Sequence, residues 1–294
     1  MIEYVYFIEL NRWGGKMKKT MSKRVIALGF VALMVLSAVF ITGCNDDKKA
    51  SDDGKDNYDL GTEGTFTVGL DDTFAPMGFR DDKGELVGFD IDLATAVAKE
   101  MGLEIKFKPI NWDAKDMELK SKNVDCIWNG MSQTPEREKA MSLSKKYLNN
   151  KIILMTRKDD VDVKTSADLA KYNIGTQADS SALEMLSKNK NYKDFKDKIT
   201  EYKSYDDAIL DMKAGRIDVI AIDQVLGEYK NKNMGEAMKS LEYNLGDDFY
   251  VIGFRKDGKA LTKGVNKAIK NLIDSGEAAK ISEKWFGKDI VVFK

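Results

Sequence analysis

TFTVGL (65–70), FDIDLATAVAKEM (89–101) and IKFKPI (105–110) follow one another in the chain and predict a strand, a helix and a second strand. The middle segment has apolar residues at helical spacing, whereas its neighbours have the short apolar pattern of strands. A short helix over 113–122 and a buried strand over 124–128 are expected next, and the alternation continues to the end of the chain. This order of elements predicts an α/β protein whose strands are mostly parallel.

A short pattern occurs twice and indicates two lobes. LK (119–120) with VDCI (124–127) is repeated as MK (212–213) with IDVI (217–220), at the same spacing. Each copy is typical of a helix end, a tight turn and a buried strand. We therefore expect two lobes of similar topology rather than one continuous sheet. Chance similarity is the alternative, because short α/β units resemble one another.

The first 43 residues have the layout of a secretory signal peptide. A basic run, KMKKTMSKR (16–24), precedes an apolar run over 25–41 and two small residues. The apolar run approaches the roughly 17 to 25 residues that a membrane-spanning helix needs, so a span is the alternative. Residues 1–16 fit poorly with the pattern, and we expect the true start at Met17 or Met21.

The end of this segment, Ile41-Thr42-Gly43-Cys44, resembles the lipobox of bacterial lipoproteins. The resemblance implies cleavage before Cys44 and a diacylglycerol on its thiol, which supplies the two acyl chains that stable anchoring needs. Cys44 would then hold the protein at the extracytoplasmic face of the cell membrane. The following residues are strongly polar, so we expect a lipidated N-terminus and flexible tether over 44–63 and a folded body from Gly64.

Composition excludes several classes of function. The formal net charge is −1 with both signs interspersed, so we expect no nucleic-acid partner. The chain has no histidine, which excludes Ser-His-Asp and Cys-His catalytic groups and histidine-ligated zinc. Cys126 is the only cysteine besides Cys44, so the mature chain can form no internal disulfide. We expect a binding protein with no catalytic residues, metal or cofactor.

Three stretches resemble the polar amino-acid-binding proteins of ATP-driven importers, which have the type II periplasmic-binding-protein fold. They are DDTFAPM (71–77) with GELVGFDIDL (84–93), then DCIWNGMSQTPER (125–137), and finally AGRID (214–218) leading to AID (221–223). The resemblance covers residues 64–294. It implies two lobes joined by two crossing strands, near residues 152–157 and 249–255, with the ligand in the cleft between them. The first lobe would comprise 64–154 and 251–294, and the second 155–250.

Two side chains suit the two charges of a free amino acid. A closed cleft must pair both the carboxylate and the ammonium, because an unpaired buried charge is costly. The planar guanidinium of Arg137 can hold a carboxylate through two hydrogen bonds, and Arg137 matches the family's carboxylate-binding arginine. Asp223 follows a buried strand and matches the family's ammonium-binding aspartate. A surface position for Arg137 and a helix N-cap for Asp223 are the alternatives.

The same resemblance implies the other ligand-binding residues. Those expected to form hydrogen bonds with the head group are Asn129, Gly130, Ser132, Ser180 and Ser181, and those expected to line the side-chain pocket are Asp71, Phe74 and Trp112. Trp128 belongs either to the pocket or to the core. An acidic residue at position 71 favours a neutral polar or cationic amino acid over an acidic one.

Position 179 departs from the family's pattern. Asp179 stands where the family commonly has glycine, so a turn with positive φ must accept an aspartate. Its carboxylate would either disfavour an anionic ligand side chain or cap the helix that follows.

The resemblance implies a monomeric extracytoplasmic receptor, anchored in the membrane through Cys44. It would capture a free L-amino acid between its lobes and deliver it to an importer's permease, which an ATPase drives. Contacts with both lobes would let the ligand stabilise the closed form. A ligand-binding sensor acting through a separate membrane partner is the alternative, and an enzyme on the same scaffold is a remote one.

Overall fold

A computed structural model describes residues 58–61 and 64–294. The predicted signal peptide, Cys44 and most of the predicted tether lie outside these residues. In the part of the chain that is described, none of the helices has the length and apolar character that a membrane crossing requires.

The body alternates strands and helices along the chain, as the sequence predicts. The strands are β1 (Phe66–Leu70), β2 (Thr73–Phe74), β3 (Gly78–Arg80), β4 (Leu86–Val87), β5 (Ile105–Pro109), β6 (Cys126–Ser132), β7 (Ser142–Leu143), β8 (Leu148–Thr156), β9 (Ile174–Gln177), β10 (Ile199–Tyr202), β11 (Val219–Asp223), β12 (Lys239–Ser240) and β13 (Gly246–Phe254). The helices are α1 (Phe89–Glu100), α2 (Lys115–Lys120), α3 (Pro135–Ala140), α4 (Ser181–Ser187), α5 (Tyr192–Phe195), α6 (Tyr205–Lys213), α7 (Gln224–Asn233), α8 (Lys259–Asp274) and α9 (Glu277–Phe286). Short 3₁₀ helices span Trp112–Ala114, Ser166–Lys171 and Lys196–Lys198.

The main sheet runs through both halves of the molecule in the order β10-β9-β11-β8-β13-β6-β1-β5. Pairing is parallel within β5-β1-β6 and within β10-β9-β11, whereas every pair that includes β8 or β13 is antiparallel. We call β1, β5 and β6 with α1, α2, α3, α8 and α9 the first lobe, and β9, β10 and β11 with α4, α5, α6 and α7 the second lobe. The expectation that the sheet is not continuous is wrong. Strand β13 pairs with β6 of the first lobe, β8 pairs with β11 of the second lobe, and β8 and β13 pair with each other.

The repeated sequence pattern corresponds to a repeated structural unit. Helix α2 ends at Lys120 before β6, and α6 ends at Lys213 before β11. The aspartate ahead of each strand makes the same kind of contact. Asp125 accepts a hydrogen bond from the backbone N–H of Thr67 at 2.8 Å, and Asp218 accepts one from the backbone N–H of Asn173 at 2.8 Å. In each lobe this carboxylate therefore connects the start of a buried strand, β6 or β11, by a hydrogen bond to an earlier segment of the chain, at β1 or just before β9.

The core consists of apolar side chains packed on both faces of the sheet. The largest cluster includes the fully buried Trp128, Tyr147 and Tyr250 and extends into both lobes. Each large apolar side chain buried in this way contributes about 1.5–3 kcal/mol. Cys126 is a buried free thiol whose pKa is raised well above its ordinary value by burial, as expected of a core cysteine rather than a reactive one.

Residues 58–61, which fall within the predicted tether, lie against the first lobe. The backbone carbonyl of Asp59 accepts a hydrogen bond from Arg255 Nη2, and Gly61 N–H donates to Asp125 Oδ1 at 2.6 Å. Position 61 suits glycine, because a Cβ there would lie 2.5 Å from the carbonyl oxygen of Lys122. The folded body therefore includes residues ahead of Gly64, held by a buried Asp–Arg pair.

Candidate functional site

The connecting strands β8 and β13 bring the ends of β6 and β11 to one place. Ile152 on β8 pairs with Asp223 at the end of β11, and Tyr250 on β13 pairs with Ser132 at the end of β6. Since β8 and β13 also pair with each other, both strand ends meet where the lobes join. The carboxyl ends of strands from both lobes therefore face one cleft, where α/β sheets commonly bind ligands.

A small cavity lies in this cleft. Its lining residues are Phe74, Trp112, Gly130, Ser132, Arg137, Gln177, Ser180, Ser181 and Asp223. Eight of these nine residues are ones that the sequence predicted for the site, and they come from both lobes. Gln177 was not predicted as a ligand-binding residue.

Arg137 lies in the cavity wall at the start of α3. Thr134 caps the helix, accepting a hydrogen bond from the N–H of Arg137, and Pro135 occupies the first turn. The guanidinium donates through Nη1 to the carbonyl of Ser132 at 2.8 Å and through Nη2 to the carbonyl of Asp179 at 3.3 Å. These bonds use two of its five N–H donors. The side chain is buried, so the alternative of a surface position is wrong.

Asp223 lies opposite as a buried carboxylate. It occupies the N-cap position of α7, but its side chain makes no capping hydrogen bond. Instead it accepts hydrogen bonds from Asn150 Nδ2 at 2.8 Å and from the Tyr250 hydroxyl at 3.0 Å. Burial and, next, the neighbouring Asp248 carboxylate raise the pKa of Asp223 to about 7. A cation placed beside it would favour the ionised form.

A second buried carboxylate, Asp248, connects the two sides of the site and was not predicted. Its Oδ2 accepts hydrogen bonds from Ser132 Oγ at 2.7 Å and from Asn150 Nδ2 at 2.8 Å. Ser132 Oγ also lies 2.8 Å from Ser181 Oγ of the second lobe. The network therefore orients side chains of both lobes, including the Asn150 amide that binds Asp223.

Asp71 and Asn129, two predicted site residues, do not line the cavity. Asp71 accepts hydrogen bonds from Gln177 Nε2 at 2.7 Å and from Thr73 Oγ1 at 2.7 Å, and Asn129 Oδ1 accepts one from Asp71 N–H at 3.0 Å. Asn129 thus fixes the start of the loop after β1, while Asp71 holds Gln177 of the second lobe. These contacts position the cavity wall.

Gly130 is held in the cavity by a buried carboxylate behind it. Asp90 Oδ2 accepts a hydrogen bond from Gly130 N–H at 2.7 Å, and Asp90 Oδ1 accepts one from Trp128 Nε1 at 3.2 Å. Gly130 has φ 56°, and a Cβ there would lie 2.9 Å from Phe74 Cε1. Glycine is therefore required by both conformation and space. Trp128 is fully buried and belongs to the core rather than to the pocket.

Ser180 and Ser181 begin α4, as predicted. Ser180 is the N-cap residue, and its hydroxyl accepts a hydrogen bond from Leu183 N–H at 3.1 Å. Asp179 has φ 54°, which confirms the predicted positive value. The interpretation of Asp179 as a helix cap is wrong, because Ser180 occupies that position and the Asp179 carboxylate pairs with Lys115 of the first lobe.

The cavity combines a cation, a carboxylate, hydroxyl groups and aromatic rings in a buried space. Arg137 also lies 5.6 Å from the centroid of the Trp112 ring, which places an aromatic face beside the cation. Among the residues that the structure describes, no three His, Cys, Asp or Glu side chains are grouped so as to hold a metal ion. The arrangement is suited to holding a small molecule that carries both charges.

The sequence is similar to bacterial solute-binding proteins over most of its length. Residues 66–288 match the profile of the bacterial extracellular solute-binding proteins, family 3. The chain is 30% identical over 275 residues to the L-cystine-binding protein TcyA of Bacillus subtilis, covering 92% of this chain and 99% of that protein. It is 32% identical over 267 residues to the L-cystine-binding protein TcyJ of Escherichia coli, covering 90% and 97% of the two chains.

A solved structure extends the similarity to the fold. An ABC uptake transporter substrate-binding protein from Streptococcus pneumoniae with bound histidine has a TM-score of 0.73 and 34% sequence identity, covering 79% of this chain and 96% of that chain.

Proposed function

The chain belongs to the bacterial extracellular solute-binding proteins, family 3, and from this premise we propose that it captures a free L-amino acid between its lobes for import. It would hand the amino acid to the permease of an ABC transporter, whose ATPase drives uptake. Relatives over nearly the whole chain are named as binding proteins, which supports binding without chemical conversion.

The observation that carries the proposal is the presence of Arg137 and Asp223 in one buried cavity. A free amino acid presents a carboxylate and an ammonium on one carbon. Arg137 would hold the carboxylate together with the hydroxyls of Ser132, Ser180 and Ser181, and Asp223 would hold the ammonium. Both buried charges of the protein are then compensated by the ligand, which offsets the cost of their desolvation.

The charges of the cavity favour a ligand whose side chain is neutral. Among the nine lining residues, Asp223 is the only carboxylate, and it is needed for the ammonium. Asp71 is committed to Gln177 and Thr73. We therefore propose an amino acid whose side chain carries no net charge over a cationic one. L-Cystine, whose far end carries one ammonium and one carboxylate, is the first candidate because two relatives are named for it. Phe74 and Trp112 would pack against its side chain.

The proposed place of action follows from the family and from the N-terminal sequence. Members of this family are extracellular. We propose that Cys44 carries a lipid that anchors the protein in the membrane, and that residues 45–57 form the connection to the folded body. Metabolic labelling with an alkyne fatty acid would test this, since Cys44→Ser should abolish incorporation.

Thermal unfolding of residues 58–294 in the presence of single amino acids tests the binding function. A ligand at about 1,000 times its dissociation constant adds about 4 kcal/mol to the unfolding free energy, which raises the melting temperature by several degrees. L-Cystine or another neutral amino acid should give this shift. A shift with arginine or lysine alone would refute the neutral class, and no shift with any amino acid would refute amino-acid binding itself.

A further inference from the structure

Asp179 of the second lobe is the target of several donors from the first lobe. Its backbone carbonyl accepts hydrogen bonds from Trp112 Nε1 at 3.2 Å, Lys115 Nζ at 3.4 Å and Arg137 Nη2 at 3.3 Å. Its carboxylate also forms an ion pair with Lys115. One residue of the second lobe is therefore bonded through two groups to the 3₁₀ helix Trp112–Ala114 and to helices α2 and α3.

Lys115 is placed where it needs such a partner. Its side chain is 3% exposed, and burial lowers its pKa, an effect that the nearby Arg137 cation increases and Asp179 opposes. A lysine ammonium buried without a compensating charge is strongly disfavoured. When the lobes are together Asp179 compensates the ammonium, and when they separate water can do so.

The conformation of Asp179 supports a role for its carboxylate. A residue with φ 54° is most easily glycine, and a residue with a Cβ is less stable in this conformation. Glycine would offer the same backbone carbonyl to Trp112 and Arg137, but no charge to Lys115. Strain of this kind persists where the side chain contributes something in return.

From these contacts we propose that Asp179 and Lys115 form a latch that stabilises the closed arrangement of the lobes without contacting the bound amino acid. Neither residue lines the cavity. Both line an adjoining groove, which shares Arg137 and Ser180 with the cavity and also includes Glu136 and Lys188. The proposal rests on the proposed function, because it assigns these two residues to the closure that traps the ligand.

The latch makes a prediction that a contact with the ligand side chain does not, and the separation of the lobes distinguishes it from an effect on the shared head group through Arg137. Apparent affinity is the intrinsic affinity multiplied by the population of the binding-competent state. A residue that changes only this population weakens all ligands by the same factor. A residue that touches the ligand side chain changes the affinity by a factor that depends on the ligand.

The test compares Asp179→Asn and Lys115→Met with the wild-type protein by calorimetric titration. Asparagine tolerates positive φ and keeps the carbonyl, so Asp179→Asn removes the charge alone. The Asp179 carboxylate is 56% exposed, so we expect a moderate loss, about five- to tenfold, equal for every amino acid that the wild type binds. The double variant should be no weaker than the weaker single variant, because both changes remove one interaction.

Glu136→Gln is the matched control. Glu136 and Lys188 also pair across the lobes, at 3.0 Å, but both side chains are about half exposed. Such pairs contribute little, so affinity should stay within about twofold of wild type. Unchanged affinity in Asp179→Asn, or a loss that differs among amino acids, would overturn the latch.

A distance measurement separates failure of the latch from failure of the proposed function. Spin labels on Lys139→Cys and Lys190→Cys, introduced in a Cys44→Ser background, report the separation of the lobes, because the remaining Cys126 is buried. Without any amino acid, Asp179→Asn should shift the distance distribution towards longer values than the labelled parent. An unchanged distribution would overturn the latch even if no amino acid were found to bind.

Discussion

Replacing Asp90 by asparagine should remove a pH dependence of folding stability. The Asp90 carboxyl is buried behind the cavity, and burial raises its pKa from 3.8 to about 7. A carboxyl with a higher pKa in the folded state keeps its proton better when folded. Its contribution to the unfolding free energy is therefore complete at low pH and is lost as the pH rises from about 4 through about 7.

The magnitude follows from the pKa values of the two states. At 1.36 kcal/mol for each pKa unit, Asp90 should lower the unfolding free energy by about 2.5 kcal/mol between pH 5 and pH 8. Carboxyls with a lowered pKa, such as Asp168 and Asp211, act in the opposite direction but below about pH 4. They do not affect this window. Asparagine has no proton to lose, so Asp90→Asn should reduce the fall by about 2.5 kcal/mol. The part that Asp223 contributes, whose pKa is also raised to about 7, should remain in both proteins.

Urea unfolding followed by circular dichroism at pH 5, 6, 7 and 8 measures the effect. Tyr147→Phe is an informative companion, because the Tyr147 hydroxyl donates to Asp90 at 3.0 Å and favours the ionised carboxylate. Its loss should move the window to higher pH. The reasoning is refuted if Asp90→Asn and the wild type lose the same unfolding free energy between pH 5 and pH 8.

Affinity for the amino acid should fall by up to about tenfold for each pH unit below 7, because protonated Asp223 cannot pair with the ammonium. Calorimetry of Asp223→Asn should show weak binding that does not depend on pH in this range. Gly130→Ala should lower the unfolding free energy by about 1–3 kcal/mol, because the residue has a positive φ and the added Cβ would lie too close to the Phe74 ring. An unchanged melting curve would contradict this prediction. Arg255→Met should lower the unfolding free energy by about 3 kcal/mol, because it leaves the buried Asp125 unpaired. It should also speed amide exchange at residues 58–61 without changing the affinity for the amino acid. Exchange protection equal to that of the wild type at these residues would contradict the prediction.

The parts of the fold that follow local periodicity were predictable from sequence. Helix α1 and strands β1 and β5 lie within one residue of their predicted ends, because apolar spacing reports which face an element buries. Continuity of the sheet was not predictable from local periodicity, since the pairing of β8 with β13 joins segments far apart in the chain. Only the family resemblance implied two strands that cross between the lobes.

The site shows the same division between local pattern and tertiary placement. Gly130 and Ser132 line the cavity whereas Asn129 does not, because alternate residues of β6 point to opposite faces. The alternation along the predicted strand could have distinguished Asn129 from Gly130 and Ser132 at the level of the sequence. Lys115 and Asp248 carried no such signal, since each is one of many charged residues and gains its role from partners that the fold brings near.

The central claim is that a free amino acid binds between the lobes through Arg137 and Asp223. Calorimetric titration of the wild type and Arg137→Ala with L-cystine, followed by other neutral L-amino acids, tests it most directly. We expect saturable binding to the wild type and at least about thirtyfold weaker binding to Arg137→Ala, because a buried charge pair is broken. Equal affinity of the two folded proteins for every amino acid that binds would contradict it.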